Sequence, residues 1–378
     1  LNLLTEFSLS ESWEFVLSGR ARFDGENRLL DPEDSFGSYS RVSRPVGVGK
    51  AGYAELRDAY FEYGFDNGLI RLGKQQVVWG SLDGLKVTDV LNPQSFREFI
   101  LEPFDESRVG IWSAYSDITV NDLRMEFVWL PDPTTHDLAE PGDFFEFTAP
   151  RFRLGGFPAA TATAPGLPNT ASGAVVELRG TPDTDLARGA VRLSAAVGGV
   201  TVSAIIAHSL DFEPTVVVAT GSSGIAGAGP MSFERRYHDM RLYGLTLEGA
   251  IGSFALRAEA AYRPKRFFNA LTDRGLNEER RDQWTFAIAA DIDAPFGTFV
   301  NLQLLVDRVD KAALTVEGAA TLEASRLVRP REDVLATMLL RKKFLYDTLS
   351  VDFRWYTDFK IDDGLYRVEL AYAIGDNP

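Results

Sequence analysis

Strict two-residue alternation between oily and ionic side chains is the feature that most limits how this chain can fold. Across Ser253–Tyr262 it places Phe254, Leu256, Ala258, Ala260 and Tyr262 on one face, and Ser253, Arg257 and Glu259 on the other. The same pattern returns with Leu123, Met125, Phe127 and Trp129, with Trp284, Phe286, Ile288, Ala290 and Ile292, with Val300, Leu302, Leu304 and Val306, with Leu349, Val351, Phe353 and Trp355, and with Tyr366, Val368, Leu370, Tyr372 and Ile374. These faces hold no charge. Their opposite faces carry Arg124 and Glu126, Asp291, Asn301 and Gln303, Asp352 and Arg354, and Arg367 and Glu369. An oily face of this extent needs a cover, and helices are the usual one in soluble α/β proteins. The only helical candidates are short, around Pro93–Phe99 and Asn277–Asp282.

About fourteen strand-like runs can be marked, the first at Trp13–Asp24 and the last at Gly364–Ile374. They include Gly68–Trp79, Ser107–Ser116, Thr119–Leu130, Ser253–Arg263 and Gln283–Asp293. Aromatic residues, at 12%, favour such runs. Tight turns at Asp66, Gly198, Ile251, Ala294 and Tyr346 alternate with long connections at 25–51, 80–106, 131–185, 211–237, 264–282 and 310–332. The short connection at Ile361–Asp363 breaks the rule.

If successive strands run up and down, every long connection falls on one rim, and an even strand count returns both ends to the short-turn rim. Sandwiches and propellers do not sort their loops this way. The expected fold class is therefore all-β. It is a transmembrane antiparallel β-barrel of about fourteen strands, with sixteen as the alternative, spanning residues 1–378 as one unit in a bacterial outer membrane. Lipid and lipopolysaccharide would meet the oily face, and water or a plug the ionic one. Trp13, Trp129, Trp284 and Tyr262 stand near strand ends, where aromatic girdles form.

Composition removes several functions. The formal net charge of −15, without clustered Lys and Arg, argues against a nucleic-acid partner. The absence of cysteine removes disulfides, thiolate metal sites and cysteine nucleophiles. "DPEDSFGS" and "TPDTD" lack the spacing of a Ca²⁺ loop, so neither a metal nor a cofactor is expected. The opening "LNLLTEFSLS" has no charged or apolar signal-like region, which implies that an export signal was removed or never existed. The longest weakly polar stretch, Leu193–Ala207, is shorter than the ~20 residues of a helical span.

The stretch "LRDAYFEYGFDNGLIRLGKQQVVWGSLDGLKVTDVLNPQSFREF", Leu56–Phe99, resembles the signature region of a porin-like outer-membrane family of Gram-negative bacteria, catalogued as a domain of unknown function. The matching features are "RLGKQQVVWG", "DGLKVTDVLNPQ" and, later, "WLPD" at Trp129–Asp132. The resemblance implies a barrel and an envelope role. It brings no substrate and no catalytic residue.

Segment 80–106 interleaves Asp83, Lys86, Asp89, Asn92, Arg97 and Glu98 with Leu85, Val87, Val90, Phe96, Phe99 and Phe104. So many apolar side chains do not suit a loop in water, so the segment is expected to fold into the lumen as a constriction, its charges meeting wall charges; a compact external loop is the alternative. The expected lumen face carries Arg20, Arg22, Arg71, Arg124, Arg192, Arg257, Arg354 and Arg367 against Asp58, Glu62, Glu126, Glu248, Glu259, Asp291, Asp352 and Glu369, with Asn301 and Gln303 among them. Eight cations against eight anions suit paired networks that brace the wall, and any cation preference would arise at the entrance. Lys74, Gln75 and Gln76 interrupt the alternation, so one of Lys74 and Gln75 faces outward unless a bulge intervenes.

The function expected is passive passage of a small or partly hydrophobic solute, without chemistry. A second reading is a barrel that sheaths or docks an envelope protein, such as an exporter or an electron carrier. A third, minor one is a surface hydrolase built around His208 or His238, although no HExxH or GxSxG pattern is present.

Overall fold

The computed structural model describes residues 2–8, 10, 12–23, 36–47, 52–98, 106–138, 176–178, 182–218, 232–272, 275–310, 326–327, 329–360 and 362–373. Fifteen long strands form the wall. They are β1 Asn2–Ser8, β2 Trp13–Phe23, β3 Gly52–Phe65, β4 Gly68–Gln75, β5 Ile111–Val120, β6 Leu123–Trp129, β7 Gly189–Val197 and β8 Val200–Leu210. The others are β9 Asp239–Ile251, β10 Phe254–Thr272, β11 Gly275–Ala294, β12 Thr298–Val309, β13 Glu332–Phe344, β14 Leu349–Asp358 and β15 Asp363–Tyr372. Each pairs antiparallel with the next, in sequence order, from β1 to β15. Two-residue strands at Val46–Gly47 and Arg326–Leu327 complete a seventeen-stranded sheet.

Every one of the fourteen expected strands is present, and β1 is an addition. Its "NLLTEFS" also alternates, with Leu3, Thr5 and Phe7 opposed to Leu17, Phe15 and their neighbours on β2. Both helical candidates fail. Residues 277–282 lie in β11, and Ser95–Phe96 is a short strand paired in parallel with Asp137–Leu138. The hairpin β5–β6 turns at Asn121 and Asp122, later than expected, because Asn121 accepts a left-handed φ of 53° that Ser116 or Asp117 would not need in a strand. The strands β10 and β11 run for 19 and 20 residues, far longer than expected, and register shifts once, between Arg263 and Arg266.

The outer face carries the oily set. Ile206, Leu245, Ile288 and Phe286 are half or more exposed, or nearly so, although no aqueous protein would leave them uncovered in one continuous band. Along β11 this band runs from Trp284 to Ala294, eleven residues, which at a strand tilt near 40° gives about 25 Å, the height of an outer-membrane apolar belt. Rings line its edges. Tyr243, Tyr262, Trp284 and Phe286 stack in series at the long-loop edge, and Trp13 packs on Tyr63 at the other. Among the described residues no helix is long and apolar enough to cross a membrane, a fact that has no bearing on strands.

The hydrophobic core lies inside this wall. Val77, Trp79, Leu82, Val87 and Leu91 belong to the segment after β4, and they pack on Ile111, Tyr115, Val128, Ile205, Leu242, Ala287, Ala289 and Leu305 of the inner face. The wall makes room with small residues. A Cβ on Gly244 would stand 3.1 Å from the Thr88 methyl. The interruption at Lys74 and Gln75 resolves without a bulge in β4: Gln75 turns inward and donates to the Ser113 carbonyl at 3.2 Å. Lys74 continues the outward series after Leu72, yet it is buried, because the stretch around Ser43 covers it and the Ser43 carbonyl accepts a hydrogen bond from its ammonium at 3.2 Å.

Candidate functional site

The segment from Gln76 to Glu98 begins where β4 stops. Gly73, with φ of 143°, has no space for a Cβ against the Ala59 carbonyl, and after it the chain leaves the wall. Asn92 then ties both feet of the segment together. Its Oδ1 accepts from the Val77 amide at 2.8 Å, and its Nδ2 donates to the carbonyls of Gln75 and Val109 at 3.2 and 2.9 Å.

One wall carboxylate holds the far end. Glu259, on the inner face of β10 and 3% exposed, accepts four hydrogen bonds from the segment. Ser81 donates its amide at 2.6 Å and its hydroxyl at 3.1 Å, and Thr88 its amide at 3.0 Å and its hydroxyl at 2.7 Å. On either side of Glu259, arginines of the same strand take the segment's carbonyls. Arg257 donates to Ser81 at 2.7 Å, and Arg263 to Val87 at 2.6 Å. From β12, Gln303 donates to the Asp83 carbonyl at 2.6 Å. Donors and acceptors thus alternate along the wall in the order that the turn 81–88 requires, which is how a buried polar contact becomes favourable.

The expected lumen residues fall on the inner face, and the segment divides them. Arg257 also meets Asp83 at 3.3 Å and Asp291 at 2.5 Å, and Asn301 bonds both of those carboxylates. Glu126 accepts from Tyr115 at 2.8 Å and from the Trp79 indole at 3.3 Å, with Arg192 at 3.6 Å. Arg192 lies 3.9 Å from Glu248. Arg20 pairs with Glu55, Arg71 with Glu62 at 2.5 Å, Arg124 with Asp117 at 2.6 Å, and Asp58 accepts from Gln76 at 3.4 Å. Arg367 pairs with Glu369 at 3.1 Å, while Arg354 stands 3.8 Å from Asp352, whose close partner is Arg341 at 2.6 Å.

Of the six charged or amide residues expected in the constriction, Asp83 and Glu98 meet wall charges, the latter on Arg22. The others do not. Asp89 pairs with Arg108 at 2.6 Å and Lys86 at 3.6 Å, Arg97 forms a bidentate pair with Asp137 at 2.9 and 3.0 Å, and Asn92 bonds only backbone. Burial lowers the Lys86 pKa below the usual lysine range. Residues 99–105, also assigned to the constriction, lie outside the described residues.

The expected list lacks Arg263, Ser81, Thr88, Arg341 and Lys343. Arg263 was readable, since it continues the Arg257, Glu259 series. Arg341 and Lys343 sit in "RKK", where charge on consecutive residues hides the alternation.

Contacts from this one segment reach β2 through Glu98, β6 through Trp79, β10 through Ser81 and Thr88, and β12 through Asp83, and Gly84 lies against the Tyr356 hydroxyl of β14. A flat sheet of fifteen strands would spread over about 65 Å at ~4.8 Å per strand. Only a wall curled around the segment brings those strands to it.

Among the described residues no histidine joins a hydroxyl on one ring nitrogen to a carboxylate on the other. His238 meets both Thr215 at 3.1 Å and Glu278 at 2.8 Å through the same Nε2, and Thr215 itself donates to Glu278 at 2.7 Å, so hydroxyl and carboxylate do not lie on opposite nitrogens as a relay needs. His208 and Asp185 are 3.9 Å apart beside Asp239, where Arg188 already occupies Asp239 at 2.7 Å. Nδ1 of His136 accepts the Gln94 amide at 2.9 Å, and burial, reinforced by the Lys86 ammonium, pushes its pKa down to about 3.

An antiparallel wall with an apolar exterior, an ionic interior and a segment folded against that interior defines a transmembrane β-barrel of the bacterial outer membrane. The chain belongs to the family DUF1302, described as a protein of unknown function, whose model matches residues 1–323. No curated protein matches the chain. Among solved structures it is similar to an in-vitro folded outer-membrane protein, OmpT, of Vibrio cholerae, with 9% identity, a TM-score of 0.46, and 99% of this chain and 86% of that one covered. It is also similar to the outer-membrane channel DcaP of Acinetobacter baumannii, with 8% identity, TM-score 0.45, and 98% and 82% covered. A third is the anion-selective porin of Comamonas acidovorans, with 10% identity, TM-score 0.45, and 98% and 84% covered.

Proposed function

We propose that the protein is an outer-membrane channel whose lumen is narrowed, along most of its wall, by the clamped segment 76–98. One contrast carries the reading. Under the segment the inner face is sealed, with Glu259, Asn301, Gln303, Ala287 and Ala289 all buried. Across β13, β14 and β15 it is open, with a cavity of about 300 Å³ lined by Arg341, Lys343, Ser350, Asp352, Glu369 and Ala371. A solute would pass along these three strands beside the segment's tip, which touches β14 at Tyr356, through the space lined by Arg341, Asp352 and Glu369. The cavity lining is ionic, so the solute that suits it is small and polar. Charged groups already paired across the strands, such as Arg341 with Asp352, present fixed dipoles rather than bare charge, and such a lining discriminates by size before sign.

Purified protein in planar bilayers provides the test. Small, steady conductance steps that shrink when Ser350→Trp fills the cavity support a channel along β13–β15. Steps unaffected by Ser350→Trp would place the path elsewhere, and the absence of any steps would favour a sheath that conducts only with its partner.

A further inference from the structure

On the rim of tight turns, two neighbouring hairpins differ from the rest. At the other inner-rim turns the exposed tips are Asp66 and Asn67, Asn121 and Asp122, Gly198 and Gly199, and Gly252 and Ser253, the residue types that tolerate a left-handed backbone or seek water. The turn between β11 and β12 instead carries Phe296, with φ of 65° and 91% of its surface exposed. The turn between β13 and β14 carries Leu345 and Tyr346, with φ of 54° and 55°, and Tyr346 is fully exposed. Since β12 pairs with β13, the two tips are adjacent. A bulky side chain in the left-handed region is strained, and neither tip gains any packing within the chain to offset it.

We propose that these two tips are seated in the interfacial layer of the inner leaflet, as a one-sided anchor that sets the depth and tilt of the barrel. Continuity with the lipid-facing wall supports lipid as the occupant. The outward series in this sector, broken only by Lys342, ends on an apolar row of Phe344, Leu349 and Tyr372, so the tips extend the belt rather than start a separate patch. Lys342, also on that outward face, places its ammonium 5.2 Å from the centre of the Phe344 ring, the position of a snorkelling cation at headgroup level. Aromatic and aliphatic side chains just beyond such a cation lie where ring and chain are partly buried among headgroups and acyl ends. The other tips described on this rim are polar or glycine and suit water, so only one sector would dip. The anchor is independent of conduction, and its failure would leave the channel reading intact.

The chain has no cysteine, so single labels can be placed without background. Phe296→Cys, Tyr346→Cys and the control Asp122→Cys are spin-labelled and the protein reconstituted in phosphatidylethanolamine and phosphatidylglycerol vesicles. Collision with oxygen and with a water-soluble nickel chelate is then measured. Labels at 296 and 346 that favour oxygen several-fold over the control support the anchor. Water-like accessibility at all three sites overturns it, as does shielding from both reagents at 296 and 346, which would mean a protein contact. Because cysteine at these strained turns could disturb folding, Phe296→Trp provides a second reading. Its added emission should be quenched by lipids brominated in the acyl chain, and unquenched added emission overturns the proposal.

Discussion

Replacing Glu259 by Gln tests the clamp at its centre, because the change removes charge and half the acceptor capacity while keeping the shape. One oxygen remains, able to serve either Ser81 or Thr88. The new amide NH₂ then faces the donors of the other residue, so two hydrogen bonds are lost and two donors are left opposed by donors. A hydrogen bond to a charged group contributes about 1.5–3 kcal/mol, which puts the loss at about 3–6 kcal/mol before the turn relaxes. The segment should remain seated on average. Arg257, Arg263 and Gln303 still grip its carbonyls, and the burial of Trp79, Val87 and Leu91 contributes about 1.5–3 kcal/mol each. What changes is the population in which residues 81–88 lift away, which a loss of about 3 kcal/mol raises by roughly a hundredfold. Hydrogen exchange reads this directly, since the amides of Ser81 and Thr88 are two of the four donors. In E259Q they should lose most of their protection while strand amides of β10 keep theirs, and conductance steps should grow larger and noisier. Glu248→Gln, on the same inner face but on the neighbouring strand β9 and with its nearest salt-bridge cation at 3.9 Å, should change neither. Wild-type protection at Ser81 and Thr88 in E259Q would refute the reasoning.

Gly244→Val puts side-chain atoms where the Thr88 methyl sits, so it should unseat the same turn without touching a charge, at about 1–3 kcal/mol, and noisier conductance with intact barrel spectra would show it. Ile288→Arg sets a cation at the middle of the outward belt and should cost about 2–4 kcal/mol in reversible unfolding from lipid; a neutral outcome would remove hydrocarbon from that face. His136 is held neutral, with its pKa near 3 against about 6.5 unfolded, so its contribution is complete above about pH 6.5 and declines as pH falls toward 3. The packing of Gln94–Arg97 on 132–138 should therefore loosen in acid by up to a few kcal/mol, seen as faster exchange at the Gln94 amide at pH 4 than chemistry alone predicts, and His136→Asn, which retains an acceptor but cannot titrate, should abolish that acid dependence.

The wall was legible because its constraint is local and repeated. A two-residue period survives errors at any one position, so an oily face such as Trp284–Ile292 identifies its partner faces without knowledge of register. What escaped lies where that period ends or the medium changes. The strand β10 continues past Arg263 because, above the lipid belt, a strand no longer needs an oily side. "RPKRFFNALT" therefore reads as loop although Arg266, Phe267 and Phe268 pair with Arg281, Arg280 and Glu279. Lys74 reads as a violation because the cover that buries it, the Ser43 carbonyl, comes from a stretch more than thirty residues earlier.

The site was legible by composition and not by pairing, for a physical reason. Leu82, Val87, Val90 and Leu91 can be assigned to burial from hydrophobicity alone, since transfer out of water is non-directional and needs no particular neighbour. Lys86, Asp89 and Arg97 carry no such guarantee. A charge brought inside must meet an opposite charge at hydrogen-bond distance or remain in water, and the sequence does not say whether that partner is on the wall or in the segment itself. Here Arg108 and Asp137 pair with Asp89 and Arg97 from the neighbouring connections, and the wall binds the turn mainly through backbone and hydroxyl groups, with Asp83 its one ionic contact. That division makes the clamp at Glu259 separable from the fold of the segment. A lesion at Arg108 or Asp137 should unfold the segment itself, whereas a lesion at Glu259 should release a turn that is still formed.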